Sequence, residues 1–362
     1  MYLIVNGNAV NIGLRSKSVH CVVTSPPYWG LRDYGLPPTD WPAVSYAPLP
    51  GCPAVTIPPM RCCLGLETTP EAFVGHVVAV FREVWRVLRD DGTVWLNFGD
   101  TYAANRGYQV PDSKYCDVGN SQGMKAATIG LKPKDLVGIP WRVALALQAD
   151  GWYLRSDIIW AKTNPMPESV IDRPTKAHEY LFLLTKRARY FYDAEAVKEE
   201  AQPASVARMA RGVSDNHKNI NGAPGQTPHS MNQPRPNRSK ADSFKEESDW
   251  DTSSRNRRSV WQISTKPYRE AHFAVFPEDL VEPCILAGTS ARGVCPQCGA
   301  GWVRLTEKRK GQLDSFNGSS FNNGKSYEAR AALAEVGTSE RTAEVVTIGW
   351  GPGCRCGSEG TS

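Results

Sequence analysis

The residues best placed to do chemistry are Thr24, Ser25, Pro26, Pro27 and Tyr28, within the stretch HCVVTSPPYWGLRDY from His20 to Tyr34. Cys21, Val22 and Val23 read as the end of a buried strand. Two prolines carry no N–H and cannot continue a sheet ladder, so the strand must stop at Ser25. The prolines then hold the backbone extended and leave its carbonyls free. The product is a row of rigid hydrogen-bond acceptors with a serine hydroxyl at one end and an aromatic face at the other. Such a row suits an amino group on a planar ring. Its lone pair is delocalised into the ring until acceptors at both N–H bonds favour a pyramidal nitrogen. A ring paired inside a duplex must first be extruded. Read alone, SPPY is more often a tight turn or an exposed proline ligand, so the surrounding elements have to decide.

Those elements alternate between strand and helix patterns. Tyr2 to Val5 reads as a short strand ending in Asn6, Gly7 and Asn8, while residues 36–66 are rich in Pro and Gly without periodicity and read as a loop. Thr69 suits a helix cap, Pro70 the first helical position and Glu71 the positive end of the dipole. Phe73, Val77, Val80, Phe81, Val84, Val87 and Leu88 follow at helical spacing, Asp91 and Gly92 close the helix, and Thr93 to Phe98 is the next strand. This is the strand–helix–strand unit of a parallel sheet. Asp100, just past the strand, either borders a site or is a solvated turn residue.

A second unit starts at Pro140, ends its helix at Asp150 and Gly151, and continues as a strand from Trp152 to Trp160. The prolines of Ala161 to Ser169 break it. His178 to Leu184 and Tyr190 to Tyr192 read as two further strands turning at Lys186 to Arg189, with His178 either a base or, as is commoner for a lone histidine entering a strand, structural. From Glu199 to Ser259 large apolar residues nearly vanish, which predicts a polar, mobile insert. Arg255, Arg257 and Arg258 at its end are candidates for phosphate contacts or a solvated basic linker. Order resumes at Val260 to Ile263 and in a helix from Glu278 through Leu286.

A chain of 362 residues predicts about two domains. A net charge of +5 is compatible with a polyanionic partner without demanding one. There is no apolar run long enough for a membrane span and no secretory leader in residues 1–20, so a soluble, cytoplasmic protein is expected. Of ten cysteines, Cys295 and Cys298 form a CxxC, and Cys354 and Cys356 a CxC, both flanked by glycine. Together they predict a structural four-cysteine Zn2+ site in a reducing compartment, in preference to free thiols.

TSPPYWGLRDYG resembles the catalytic motif of the DNA amino-methyltransferases, which use S-adenosylmethionine to make N4-methylcytosine or N6-methyladenine. LKPKDLVGIPWRVALALQADGWYLRSDIIWAKTNPMPES, KAHEYLFLLTK and STKPYREAHFAVFPEDLVEPCILAGTS are similar to the same family, in the order of its circularly permuted branch. The resemblance implies an α/β, Rossmann-like sheet with helices on both faces, plus a small zinc ribbon. It also implies roles. Ser25 would accept from the target amine, the carbonyls of Pro26 and Pro27 would hold its other hydrogen, and Tyr28 would stack on a base lying between Ser25 and Tyr28. Thr24, Lys266, His272, Phe276 and Pro277 would border the cofactor, with Asn8 standing where the family carries an aspartate. A serine before the prolines favours cytosine N4 over adenine N6.

The expected division is a core at 1–198, the polar insert at 199–259 as target-recognition segment, a cofactor-bordering segment at 260–292 and the zinc ribbon at 293–362. The permuted branch continues with a glycine loop, DPFxGSG. Its only lookalike here, LDSFNGSS at Leu313 to Ser320, lacks a preceding apolar strand and reads as an accident, so the sheet is expected to be incomplete at its C-terminal side. DNA is the expected partner, along with a cognate restriction endonuclease. The competing expectation is a DNA-binding remnant that does not hold the cofactor.

Overall fold

In the computed structural model the described residues are 4–31, 33–103, 130–202, 254–266, 275–309 and 344–356. Strand β1 (Val19–Thr24) ends one residue before Ser25, where the prolines require it. Residues 4–8 form no strand. Ile4 and Val5 are 85% and 65% exposed, without the partner edge that an apolar strand needs.

The segment expected to be a loop at 36–66 is instead a nested pair of ladders. β2 (Thr39–Trp41) pairs antiparallel with β5 (Met60–Cys62), and inside it β3 (Val44–Tyr46) pairs with β4 (Val55–Ile57). Buried aromatics anchor it: the Trp41 indole donates to the Cys62 carbonyl at 3.0 Å, and the Tyr46 hydroxyl to the Glu71 carbonyl at 2.9 Å. Strands of three residues are too short to print an alternation that a reader of the sequence can see.

Helix α1 (Pro70–Val87) starts as its cap predicts, with Thr69 Oγ1 accepting from Ala72 N at 3.1 Å. It stops at Val87, and β6 (Leu88–Phe98) begins at once. Asp91 and Gly92 therefore lie in the strand, in an irregular stretch opposite His20 where the β1–β6 register shifts. A Cβ at Gly92 would lie 2.8 Å from the His20 carbonyl, so only glycine permits that approach. Next come α2 (Ile139–Ala149), β7 (Tyr153–Ala161), β8 (His178–Thr185), β9 (Glu199–Glu200), β10 (Ser254–Arg255), β11 (Val260–Gln262), α3 (Glu278–Gly288), β12 (Val303–Arg309) and β13 (Glu344–Gly351).

The main sheet has the order β1-β6-β8-β7-β11. β6 runs parallel to β1 and β11 parallel to β7, but β8 is antiparallel to both of its neighbours. Both edges of β8 are thereby occupied, which leaves no edge for the hairpin expected from Tyr190 to Tyr192. Those residues are not a strand, and Phe191 N donates to the Asp91 carbonyl at 2.9 Å.

Alternation along β6 assigns the faces. Val94, Leu96 and Phe98 join the core formed with α1 and α2. Thr93 and Trp95 face the other way, Trp95 toward Trp261 at 6.3 Å between ring centroids. On that face α3 packs against β1 and β6. Its Gly288 leaves no room for a Cβ between Thr93 and Cys21. Helices cover both faces, as a Rossmann-like arrangement requires.

The chain divides into two compact units. One, residues 1–196, 258–302 and 352–362, contains the five-stranded sheet; the other, 197–257 and 303–351, contains the antiparallel ladders β9–β10 and β12–β13. No helix among the described residues is long and apolar enough to cross a membrane.

Candidate active site

Ser25 follows β1, Asn97 and Phe98 end β6, and Lys162 follows β7. Because β8 runs the other way, its first residues, including Glu179, reach this same edge. Carboxyl ends of parallel strands are where open α/β sheets gather their ligands.

A chain of hydrogen bonds links these side chains. Ser25 Oγ donates to the Tyr28 hydroxyl at 3.1 Å. The Tyr28 oxygen lies 2.6 Å from Glu179 Oε2 and 2.8 Å from Asn97 Oδ1, two acceptors for one proton. Asn97 is oriented by its own donation to the Tyr180 carbonyl at 3.0 Å, and Lys162 Nζ donates to Glu179 Oε1 at 2.5 Å. Burial, followed by the charge of Glu179, pushes the Tyr28 phenol well above its ordinary value, so it stays a neutral hydroxyl. Its ring lies against Gly99, where an added Cβ would be 2.7 Å from Cε2.

This geometry corrects one expectation. The acceptors on β6 and β8 draw Tyr28 inward, and the bond to Ser25 closes the gap in which a planar ring was expected. The half-buried Pro26 and Pro27 are backed by a second polar group. Gly65 adopts φ +94° and packs on Pro27 and the Tyr28 carbonyl, where a Cβ would come within 3.2 Å and 3.1 Å. Gly65 N donates to Glu67 Oε2 at 2.8 Å, the Trp29 indole donates to the Glu67 carbonyl at 2.9 Å, and Glu67 Oε1 meets His76 Nδ1 at 2.9 Å. His76 stacks on Trp41 at 4.1 Å, and the cluster also takes in Cys62.

Asn97, Glu179, Lys162, Glu67 and His76 went unnoticed in the sequence, because no spacing links residues brought together by strand order. Asp100 turns out to cap α2. Its carboxylate accepts from Thr101 N, Gly138 N and Ile139 N at 2.9 to 3.1 Å, which replaces the side chain that the N-cap Gly138 lacks. Lys176 Nζ donates to the Asp100 carbonyl at 2.6 Å, and burial pulls its pKa down. His178 rests edge-on against Tyr180.

Of the residues expected beside a cofactor, Thr24 is half-buried at the end of β1. The end of α3 meets Cys21 and Thr93, and Gly288 to Ser290 line a small cavity with His20, Asp91 and Gly92 on the strand-start side, so α3 runs back along β1 toward its start. Half-buried Phe276 and buried Pro277 precede its first turn. The apolar Phe276 ring ahead of α3 fits a nucleoside-bearing cofactor, whereas Thr24, registered with Leu96, faces the α1–α2 side of the sheet. Lys266 is engaged with Asp279 at 2.7 Å. Asn8 is exposed and folds its amide onto Val10 N at 3.1 Å. His272 lies outside the described residues, as do Leu313 to Ser320 and most of the polar insert. Of the three arginines, Arg255 is paired with Glu199 at 3.2 Å.

Away from this edge, the sulfurs of Cys295, Cys298, Cys354 and Cys356 all lie within 4.8 Å of one another. Hydrogen bonding to Cys298 and then to Cys354 pushes the Cys356 thiol up to about 12.

Comparison with known proteins gives the family. Residues 19–320 match the family N6_N4_Mtase, described as DNA methylase. Over 287 residues the chain is 42% identical to the Type II methyltransferase M.Cfr9I of Citrobacter freundii, covering 78% of this chain and 71% of that protein. It is 43% identical over 278 residues to the Type II methyltransferase M.XycI of Xanthomonas campestris pv. cyanopsidis, covering 76% and 68%. Among solved structures, the PvuII DNA methyltransferase (cytosine-N4-specific) aligns with 77% of this chain and 67% of its own, at 14% identity and a TM-score of 0.39. A match over most of the chain, joined to relatives of this identity and coverage, places the protein in the N6_N4_Mtase family of DNA methylases.

Proposed function

We propose that this DNA methylase transfers a methyl group from S-adenosylmethionine to the exocyclic amine of an extruded base, cytosine N4 in preference to adenine N6. The observation that carries the reading is the direction of the Ser25 hydroxyl. It donates inward to Tyr28, so its lone pairs are left to accept an N–H from the substrate. The carbonyls of Pro26 and Pro27 take the second hydrogen, held rigid by the proline rings, with Gly65 packed against Pro27. Both contacts favour a pyramidal amine with a localised lone pair. With the Ser25–Tyr28 gap closed, the base lies alongside the pair, and any stacking uses the face of Tyr28 turned away from Gly99.

The cofactor, when bound, supplies an electrophilic methyl group on a sulfonium. As the new N–C bond forms, the amine nitrogen must shed a proton, leaving the N–H electrons on nitrogen. Ser25 receives that proton while passing its own to Tyr28, and Tyr28 passes its own to Glu179. The phenol's high pKa means the relay proceeds without a lasting phenolate. Phe276 and Pro277 are the residues that would hold the cofactor, joined by Thr24, Lys266, His272 and Asn8 as the resemblance implies. Serine before the prolines is what favours cytosine. The proposal extends to a cytoplasmic enzyme with a cognate restriction endonuclease as partner.

The test is to incubate the purified chain with labelled S-adenosylmethionine and DNA, then identify the methylated nucleoside by mass spectrometry. N4-methylcytosine is expected, and N6-methyladenine would overturn the choice of base. No product, together with no saturable cofactor binding, would overturn the enzyme itself.

A further inference from the structure

We propose that Cys295, Cys298, Cys354 and Cys356 bind one Zn2+ as a closed, four-thiolate structural site. Their sulfurs lie within 4.8 Å of one another. A tetrahedral zinc with bonds of about 2.3 Å needs sulfur–sulfur separations of about 3.8 Å, which this cluster can supply with small rotations of its side chains. None of the four is in a disulfide.

The backbone supplies a second, independent observation. Gly299 N donates to the Cys295 carbonyl at 2.8 Å, Cys295 N donates to the Ala300 carbonyl at 2.8 Å, and Gly299 takes φ +70°. The chain thus folds tightly around the CxxC pair, with glycine where an L side chain would be strained. That turn is the form a knuckle takes around a metal. At the far end, Gly351 is registered with Val303 across the β12–β13 ladder, so Cys354 and Cys356 follow directly from a paired strand end. Two cysteine pairs more than fifty positions apart in sequence are therefore delivered to one place.

Four soft thiolates select zinc over magnesium, calcium or manganese, and four protein ligands leave no open position for a substrate. The site is structural, and the hydrogen bonds around it say what it supports. His20 Nε2 lies 2.7 Å from the Gly299 carbonyl, and Arg89 Nη1 donates to the Cys298 carbonyl at 2.8 Å while its other nitrogens hold Asp91. The knuckle thereby grips the first residues of β1 and β6, at the opposite end of β1 from Ser25.

Elemental analysis of the full chain, purified without chelator, is expected to give one zinc per chain. Replacement by Co2+ is expected to give thiolate charge-transfer absorption and the d–d bands of a tetrahedral sulfur site. Cys354→Ser and Cys356→Ser each lower the bound metal well below one per chain, whereas Cys52→Ser leaves it unchanged. Loss of a ligand can also unfold the chain, so the cobalt spectrum of the unsubstituted protein decides independently. Absence of both stoichiometric metal and that spectrum overturns the proposal. So does a disulfide among the four cysteines in the purified protein, or full metal content in Cys354→Ser.

Discussion

Two carboxylates flank the proline corner, each paired with a basic side chain, and they could hardly be used more differently. Glu67 and His76 meet at 2.9 Å with both side chains wholly excluded from solvent. Glu179 and Lys162 meet at 2.5 Å but keep 14% and 23% of their side-chain surface exposed. Glu67 is also fixed by Gly65 and Trp29, so each of its oxygens has a static task. Glu179 has one oxygen on Lys162 and the other on a hydroxyl that itself receives Ser25. The difference teaches that a buried pair holds the shape of the acceptor row, while a partly open pair can exchange protons with it.

The sharpest attack on that division is Ser25→Ala, which removes the acceptor and leaves both carboxylate pairs untouched. Methyl transfer is expected to fall by at least about 10²-fold with DNA affinity nearly unchanged, a range typical of losing one preorganised hydrogen-bonding group. Equal losses in rate and affinity would move the chemistry away from Ser25. Glu67→Ala comes next and should act on stability, since removing one member of a buried pair costs about 3–5 kcal/mol. Chemical denaturation is expected to show that loss; a variant as stable as the parent would mean the pair is not structural. Tyr28→Phe and Glu179→Gln are expected to lower the single-turnover rate by about 10-fold or more at constant melting temperature, consistent with loss of a relay step. If either variant melts early while its rate per folded molecule is unchanged, the two carboxylates have the same kind of role and the contrast is gone. The smallest effect is expected from Thr69→Ala, which removes the α1 cap behind both sites and costs about 1 kcal/mol with no change in rate.

Much of the frame was legible because its signals are local. Thr69, Pro70 and Glu71 announce the start of α1 through capping chemistry, and Pro26 and Pro27 end β1 through a missing N–H. The end of α1 was misplaced because Asp91 and Gly92 look like a helix stop, although the glycine is needed where β6 passes His20. The nested ladders at 39–62 were invisible because their order comes from Trp41 and Tyr46 reaching partners far along the chain. In the site, Ser25 and Tyr28 could be read from their motif, whereas Glu179 and Asn97 could not. They reach Tyr28 only because β8 lies next to β6, a pairing that no local periodicity encodes.

That placement of β8 also dictates an order of assembly. Its two antiparallel seams join it to β6 and to β7, and β7 is much the nearer of the two in sequence, so those two strands meet at the lower loop-closure cost. β6 must wait until β8 has been synthesised, since nothing else lies between it and β7. A nascent chain that has emerged only as far as β7 therefore holds the β1–β6 pair with an open border and β7 with no neighbour on either side, since β11 also comes later, and this interval is when it most needs protection from other chains.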